Sequence, residues 1–140
     1  MTAEFPTAVH ALVYLGHKGC TISSAELADN ICTNPARVRK IMAKLCRAGL
    51  AKATEGRSSG YASVAGYEKI TLRAVAAALG EEPVCIGWRS GDIDRECLIS
   101  SGMAEEMDKI YARLNGRCME ELGKITVESV SDDVLSRFDD

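Results

Sequence analysis

The sequence predicts a mainly α fold with a small β-hairpin wing: a winged helix-turn-helix plus a long C-terminal dimerisation helix. Three observations predict it. Short amphipathic runs fill the first 48 residues, two of them opening on a capping residue. Two runs of strand character, 50–54 and 61–65, flank a Gly/Ser-rich stretch. A stripe of apolar residues at spacings of three and four then runs from Met103 to Ile125.

Each element follows from its residues. Phe5, Ala8, Val9, Leu12, Val13 and Leu15 recur at helical spacing and predict a mostly buried helix over 5–16, stopped by Gly16 and Gly19. Ser23, with Glu26 three residues later, has the form of a capping box and starts a short helix over 24–30. Asn34 caps a third helix, Pro35 suits its first turn, and Gly49 ends it. After Gly49 the period changes to that of a hairpin whose tip is Glu55–Gly60. Thr71 caps a linker helix that begins in "ITLRAV". Ser100 or Ser101 is positioned to cap the long helix, which Asn115-Gly116 weakens near its middle. "DDVLSRFDD" reads as a short helix or frayed tail. The chain thus divides into 1–80 with the linker helix, a loop over 81–99, and the long helix with its tail over 100–140.

Charge is distributed unevenly. The net charge is −3, yet residues 34–60 carry seven basic side chains against Glu55 alone. Residues 81–140 carry seven basic and fifteen acidic side chains. Such a split points to a basic working surface on one part of the molecule. On a helical projection Val38, Ile41, Met42, Leu45 and Cys46 form the core arc of the third helix. Arg37, Lys40, Lys44 and Arg47 form a separate arc, and Arg39 lies on the opposite flank.

A basic second helix of such a pair, followed by a basic-tipped hairpin, suits double-stranded DNA, with the helix in the major groove and the wing along the backbone or minor groove. The candidate DNA-facing residues are Ser24, Thr33, Asn34, Arg37, Arg39, Lys40, Lys44, Arg57, Ser58 and Ser59. Arg37, with Thr33 or Asn34, is placed for base edges. Lys40, Lys44 and Arg57 are placed for phosphates. A dimeric adaptor that kept the fold and lost DNA binding is the alternative, and it leaves this basic arc without a purpose. An enzyme is not expected, because neither His10 nor His17 has an evident cysteine partner for thiol chemistry.

The segments "F..AVHALVYL", "TNPARVRKIMAKLCRAGL", "GRSSGY" and "ITLRAVAAALG" together resemble the bacterial Rrf-two family of winged-helix transcription regulators. That family includes the iron–sulfur cluster regulator, the nitric-oxide-sensitive repressor and the cysteine-metabolism repressor. The likeness covers roughly residues 5–80 closely and the remainder by general layout. It implies a homodimer, built by the long helix, that binds a palindromic operator as a repressor. The family usually has two adjacent glycines at the wing, where this chain has Ser59-Gly60.

The cluster-binding relatives group three cysteines after the linker helix, whereas this chain has Cys85 and Cys97 there, with the single Trp88 between them. A cluster held by thiolates alone takes four. No cofactor is therefore expected, with an iron–sulfur cluster kept as an alternative. The segment stays open as an entry point for an unidentified signal, sensed by a thiol or a small molecule through Cys85, Trp88 and Cys97. No run is long and apolar enough to span a membrane, which excludes a membrane partner by insertion. Six cysteines without a secretory signal predict a cytoplasmic protein.

Overall fold

The computed structural model describes residues 1–138, with six helices, one hairpin and two 3-10 turns among them. Helix α1 spans Glu4–Lys18, α2 Ser24–Ile31 and α3 Pro35–Arg47. Strands β1 (Ala51–Thr54) and β2 (Gly60–Ser63) form the wing. Helix α4 spans Leu72–Leu79, α5 Leu98–Leu122 and α6 Val127–Leu135. The mainly helical fold with a β-hairpin wing is the one the sequence predicts.

Local chemistry sets the boundaries. Ser23 Oγ accepts the Glu26 N–H at 3.1 Å, and Asn34 Oδ1 accepts the Arg37 N–H at 2.9 Å. Thr71 Oγ1 does the same for Ala74 at 3.1 Å. Each satisfies an amide that a helix start leaves without a partner. The Ser23 cap is only half a box: the Glu26 carboxylate accepts the Tyr14 hydroxyl at 3.0 Å instead of turning back. Cys32, at φ +64°, makes the left-handed turn between α2 and α3.

The core gathers on α1. Leu12 and Leu15 meet Leu27 of α2, Val38, Ile41, Met42 and Leu45 of α3, Val75 of α4 and Val127 of α6, all almost wholly buried. At ~25 cal/mol per Å² of apolar surface, this cluster is the main stabilising term that fixes α3 against the body. The wing is antiparallel, with Ala51 opposite Ser63 and Thr54 opposite Gly60. It is shorter at its far end than the expected run to residue 65, because Ala65-Gly66 already turns into a 3-10 turn at Tyr67–Lys69.

Three further features depart from the sequence-based expectation. Helix α5 starts at Leu98, so Ser100 and Ser101 lie inside its first turn and Cys97 stands at the N-cap with no side-chain cap bond. The loop sets this start: the Asp92 N–H donates to the Ser100 carbonyl at 3.0 Å. A side chain at Gly91 (φ +77°) would overlap that same carbonyl. Asn115-Gly116 does not interrupt α5; Asn115 is held instead, as described below. Finally, α6 begins before the predicted tail, at Thr126, whose hydroxyl and that of Ser129 form a full capping box. The Leu72 and Val127 amides donate to Ile125 and Ile70 carbonyls, so α4 and α6 are stitched together at their starts. Asp139 and Asp140 of the predicted tail lie outside the described residues.

Candidate nucleic-acid interface

Helix α3 has two flanks, and the structure gives them different neighbours. Arg39 faces the wing. Its Nη1 lies 3.4 Å from Ser24 Oγ as a donor, and both line a cleft of about 300 Å³ with Thr54, Ser59 and Tyr61. The cleft exists because the turn before α2 joins the hairpin: the Ile22 and Tyr61 amides donate to each other's carbonyls at 2.8 Å. Gly60 makes this approach possible, since a Cβ there would overlap the Ile22 carbonyl.

The other flank faces the start of α1. Lys44 Nζ donates to Glu4 Oε2 at 2.8 Å, and Lys40 Nζ lies 3.5 Å from Glu4 Oε1. The hydrogen bond from Lys44 is the main cause that holds the Glu4 carboxyl below its usual range. Lys44 is half-buried by this contact, while Arg37, Arg39, Lys40 and Arg47 are exposed. Glu4, Arg37, Lys40, Leu79 and Glu81 border an open cleft of about 650 Å³. The Thr2 backbone N–H donates to Glu81 at 3.0 Å, and its hydroxyl donates to the same carboxylate.

Of the candidate residues, Ser24, Arg39 and Ser59 thus come together at the wing, and Arg37, Lys40 and Lys44 come together beside α1. Thr33 and Asn34 sit between, in the α2–α3 turn, with Asn34 Oδ1 committed to its cap. Arg57 and Ser58 are exposed at the wing tip. Sequence reasoning missed Glu4. An acidic residue in a first turn reads as a partner of the helix dipole, and nothing local announces lysines 36 and 40 residues away.

The 81–97 segment runs along α5. Asn115 clamps it: the Val84 N–H donates to Asn115 Oδ1 at 2.6 Å, and Asn115 Nδ2 donates back to the Val84 carbonyl at 2.8 Å. Ile86 and Trp88 line a cavity of about 500 Å³ with Met103, Met107 and Tyr111, closed at one side by the Arg89–Asp108 pair. Trp88 is 76% exposed, so it covers the helix rather than anchoring a core. The Ser100 and Ile99 backbone N–H groups at the start of α5 lower the thiol pKa of Cys97; burial raises that of Cys46.

The sequence profile of the iron-dependent transcriptional regulators called Rrf2 matches residues 1–133. The chain belongs to the Rrf2 family. Among solved structures, a candidate transcriptional regulator from Lactobacillus plantarum is similar at 22% identity, with a TM-score of 0.80 over 96% of this chain and 91% of that one. IscR of T. potens is similar at 16% identity and a TM-score of 0.69, covering 96% and 87%. CymR, the global cysteine regulator of B. subtilis, is similar at 18% identity and a TM-score of 0.68, covering 94% and 95%. Comparison with curated protein sequences finds no match. Rrf2 proteins are transcriptional regulators, not enzymes, and share the winged-helix DNA-binding fold seen here. No helix among the described residues is long and apolar enough to cross a membrane.

In an iron-dependent family of regulators, cysteines are the residues that would hold an iron–sulfur cluster. Cys85 adjoins Val84, which Asn115 holds at the middle of α5, and Cys97 stands at the helix start. The 18 residues from Cys97 to Asn115 rise about 27 Å along the axis. Thiols so placed can share neither a disulfide, which needs Cα atoms within about 7 Å, nor one cluster. Among the described residues no group of three or more His, Cys, Asp or Glu side chains gathers to hold a metal ion. The described residues of one protomer do not fit an iron–sulfur cluster.

Proposed function

We propose that this Rrf2 protein is a cytoplasmic repressor that binds a palindromic operator as a homodimer. One observation carries the reading: α3 and the wing tip expose Arg37, Arg39, Lys40 and Arg57, while the acidic excess belongs to the C-terminal part of the sequence. Arg37 and the α2–α3 turn read base edges, and Lys40, Lys44 and Arg57 hold phosphates, with Ser24, Arg39, Ser58 and Ser59 along the wing cleft.

The dimer reading rests on α5. No residue of this 25-residue helix is buried. Leu98 is 87% exposed, and Ile99, Met103 and Leu114 are exposed with it. A second copy is the partner that the family resemblance implies, and a two-fold dimer requires a palindromic site. The protein carries no cluster, and its signal enters through 81–97 as a thiol reaction at Cys97 or a small ligand beside Trp88.

The test is a shift assay on the protein's own promoter across a salt series, with light scattering in parallel. A dimer whose affinity falls steeply with salt supports the reading, because phosphate contacts release counterions. A monomer, or a dimer that retains no duplex at low salt, overturns it; the latter result makes the chain an adaptor. Anaerobic protein that is brown and holds stoichiometric iron and sulfide overturns the cofactor part alone.

A further inference from the structure

Glu4 is the only acidic side chain paired with the basic arc of α3 among the described residues. It bridges Lys40 and Lys44, one turn apart on the flank assigned to phosphates. Its place is fixed twice. It sits in the first turn of α1, whose Ala8, Leu12 and Leu15 are locked in the core. The residues before it are tied to the far side of the cleft through Thr2 and Glu81. The carboxylate is therefore built into the binding face and does not merely drift near it.

We propose that Glu4 attenuates phosphate binding: it cancels one positive charge of the Lys40–Lys44 pair, so that any duplex, operator or random, gains less from this flank than the cation count suggests. The proposal rests on the DNA-binding reading above. Sequence-independent affinity comes from phosphate neutralisation, whereas base contacts carry discrimination. An anion fixed between two phosphate-facing lysines lowers the first and leaves the second untouched. Operator and random affinity therefore fall together, and the salt dependence of both becomes shallower.

Salt dependence reads this directly. Each phosphate neutralised adds about −0.9 to the slope of log K against log salt. Fluorescence anisotropy is measured on a random duplex and on the promoter duplex from about 50 to 300 mM KCl, for the parent, Glu4→Gln, Glu121→Gln and Glu4→Gln/Lys44→Met. Glu121 pairs with Lys124 at the far end of α5 and controls for removal of one unit of net charge. The expected result is a slope steeper by about 0.9 in Glu4→Gln, with random-DNA affinity up on the order of five-fold near 0.15 M salt. Glu121→Gln leaves the slope unchanged, and Lys44→Met in the Glu4→Gln background restores the parent slope. Circular dichroism confirms that each variant is folded, and Glu4→Asp, which keeps the charge, replaces Glu4→Gln if that variant unfolds: with its reach shortened, it should steepen the slope part of the way. Equal slopes for parent and Glu4 variants overturn the proposal while leaving DNA binding intact. So does an equal change in Glu121→Gln. A parent that binds no duplex removes the functional reading itself, and the two failures are distinct.

Discussion

Replacing Gly60 by alanine should loosen the wing without unfolding the domain. The added Cβ overlaps the Ile22 carbonyl, so the strand must move away from the turn that precedes α2. That movement breaks the two reciprocal Ile22–Tyr61 hydrogen bonds, each 2.8 Å. At about 1 kcal/mol net for each bond, the local loss is about 2 kcal/mol. The core of α1, α3 and α4 does not include Gly60, so much of this cost falls on the wing's own opening equilibrium. Hydrogen exchange checks it: the Ile22 and Tyr61 amides should exchange on the order of thirty-fold faster, while those of Leu12 and Leu45 change little. The wing cleft of Ser24, Arg39 and Ser59 opens with it, so promoter binding should weaken in the same protein. Unchanged protection at Ile22 and Tyr61 would refute the argument that glycine is needed for close approach.

Three further outcomes follow from the geometry. Arg37→Ala should cost about 1–3 kcal/mol on the promoter site and relax preference at one base pair of each half-site, read by binding to a substituted operator set; equal loss on random DNA would show a phosphate role instead. Leu114→Glu should leave the helical signal intact and shift the protein to monomer in sedimentation, because it places a charge on an exposed apolar position of α5. Iodoacetamide should label Cys97 before Cys46 at neutral pH, since backbone N–H groups favour the Cys97 thiolate and burial disfavours that of Cys46; mass spectrometry of quenched samples gives the order.

Much of the fold was legible because its punctuation is local. Ser23, Asn34 and Thr71 cap helices through amides three residues on, within the reach of a short sequence window. The core arc of α3 is likewise a matter of spacing. The start of α5 was not legible, because Cys97 caps nothing with its side chain and the deciding contacts come from Gly91 and Asp92. The same holds at the candidate site. The arc of Arg37, Lys40 and Lys44 is readable by projection, but its pairing with Glu4 spans 40 residues to Lys44. Asn115 reads as a weak point in a helix until Val84, 31 residues earlier, is seen to occupy its amide. Long-range polar pairs leave no periodic trace.

The separation of charge has a kinetic meaning. The exposed cations of α3 and the wing belong to residues 34–60, and the acidic excess belongs to residues 81–140 of the sequence. In the field of a polyanion such a molecule experiences a torque before it experiences a contact. Encounters that present α5 first are repelled, and those that present α3 are drawn in, so a larger share of collisions is productive. Orientation is normally what reduces protein association rates far below the diffusion limit. A modest net negative charge is then no obstacle to fast capture; it is the means by which badly aligned approaches are turned away, and its benefit shrinks as the Debye length falls with added salt.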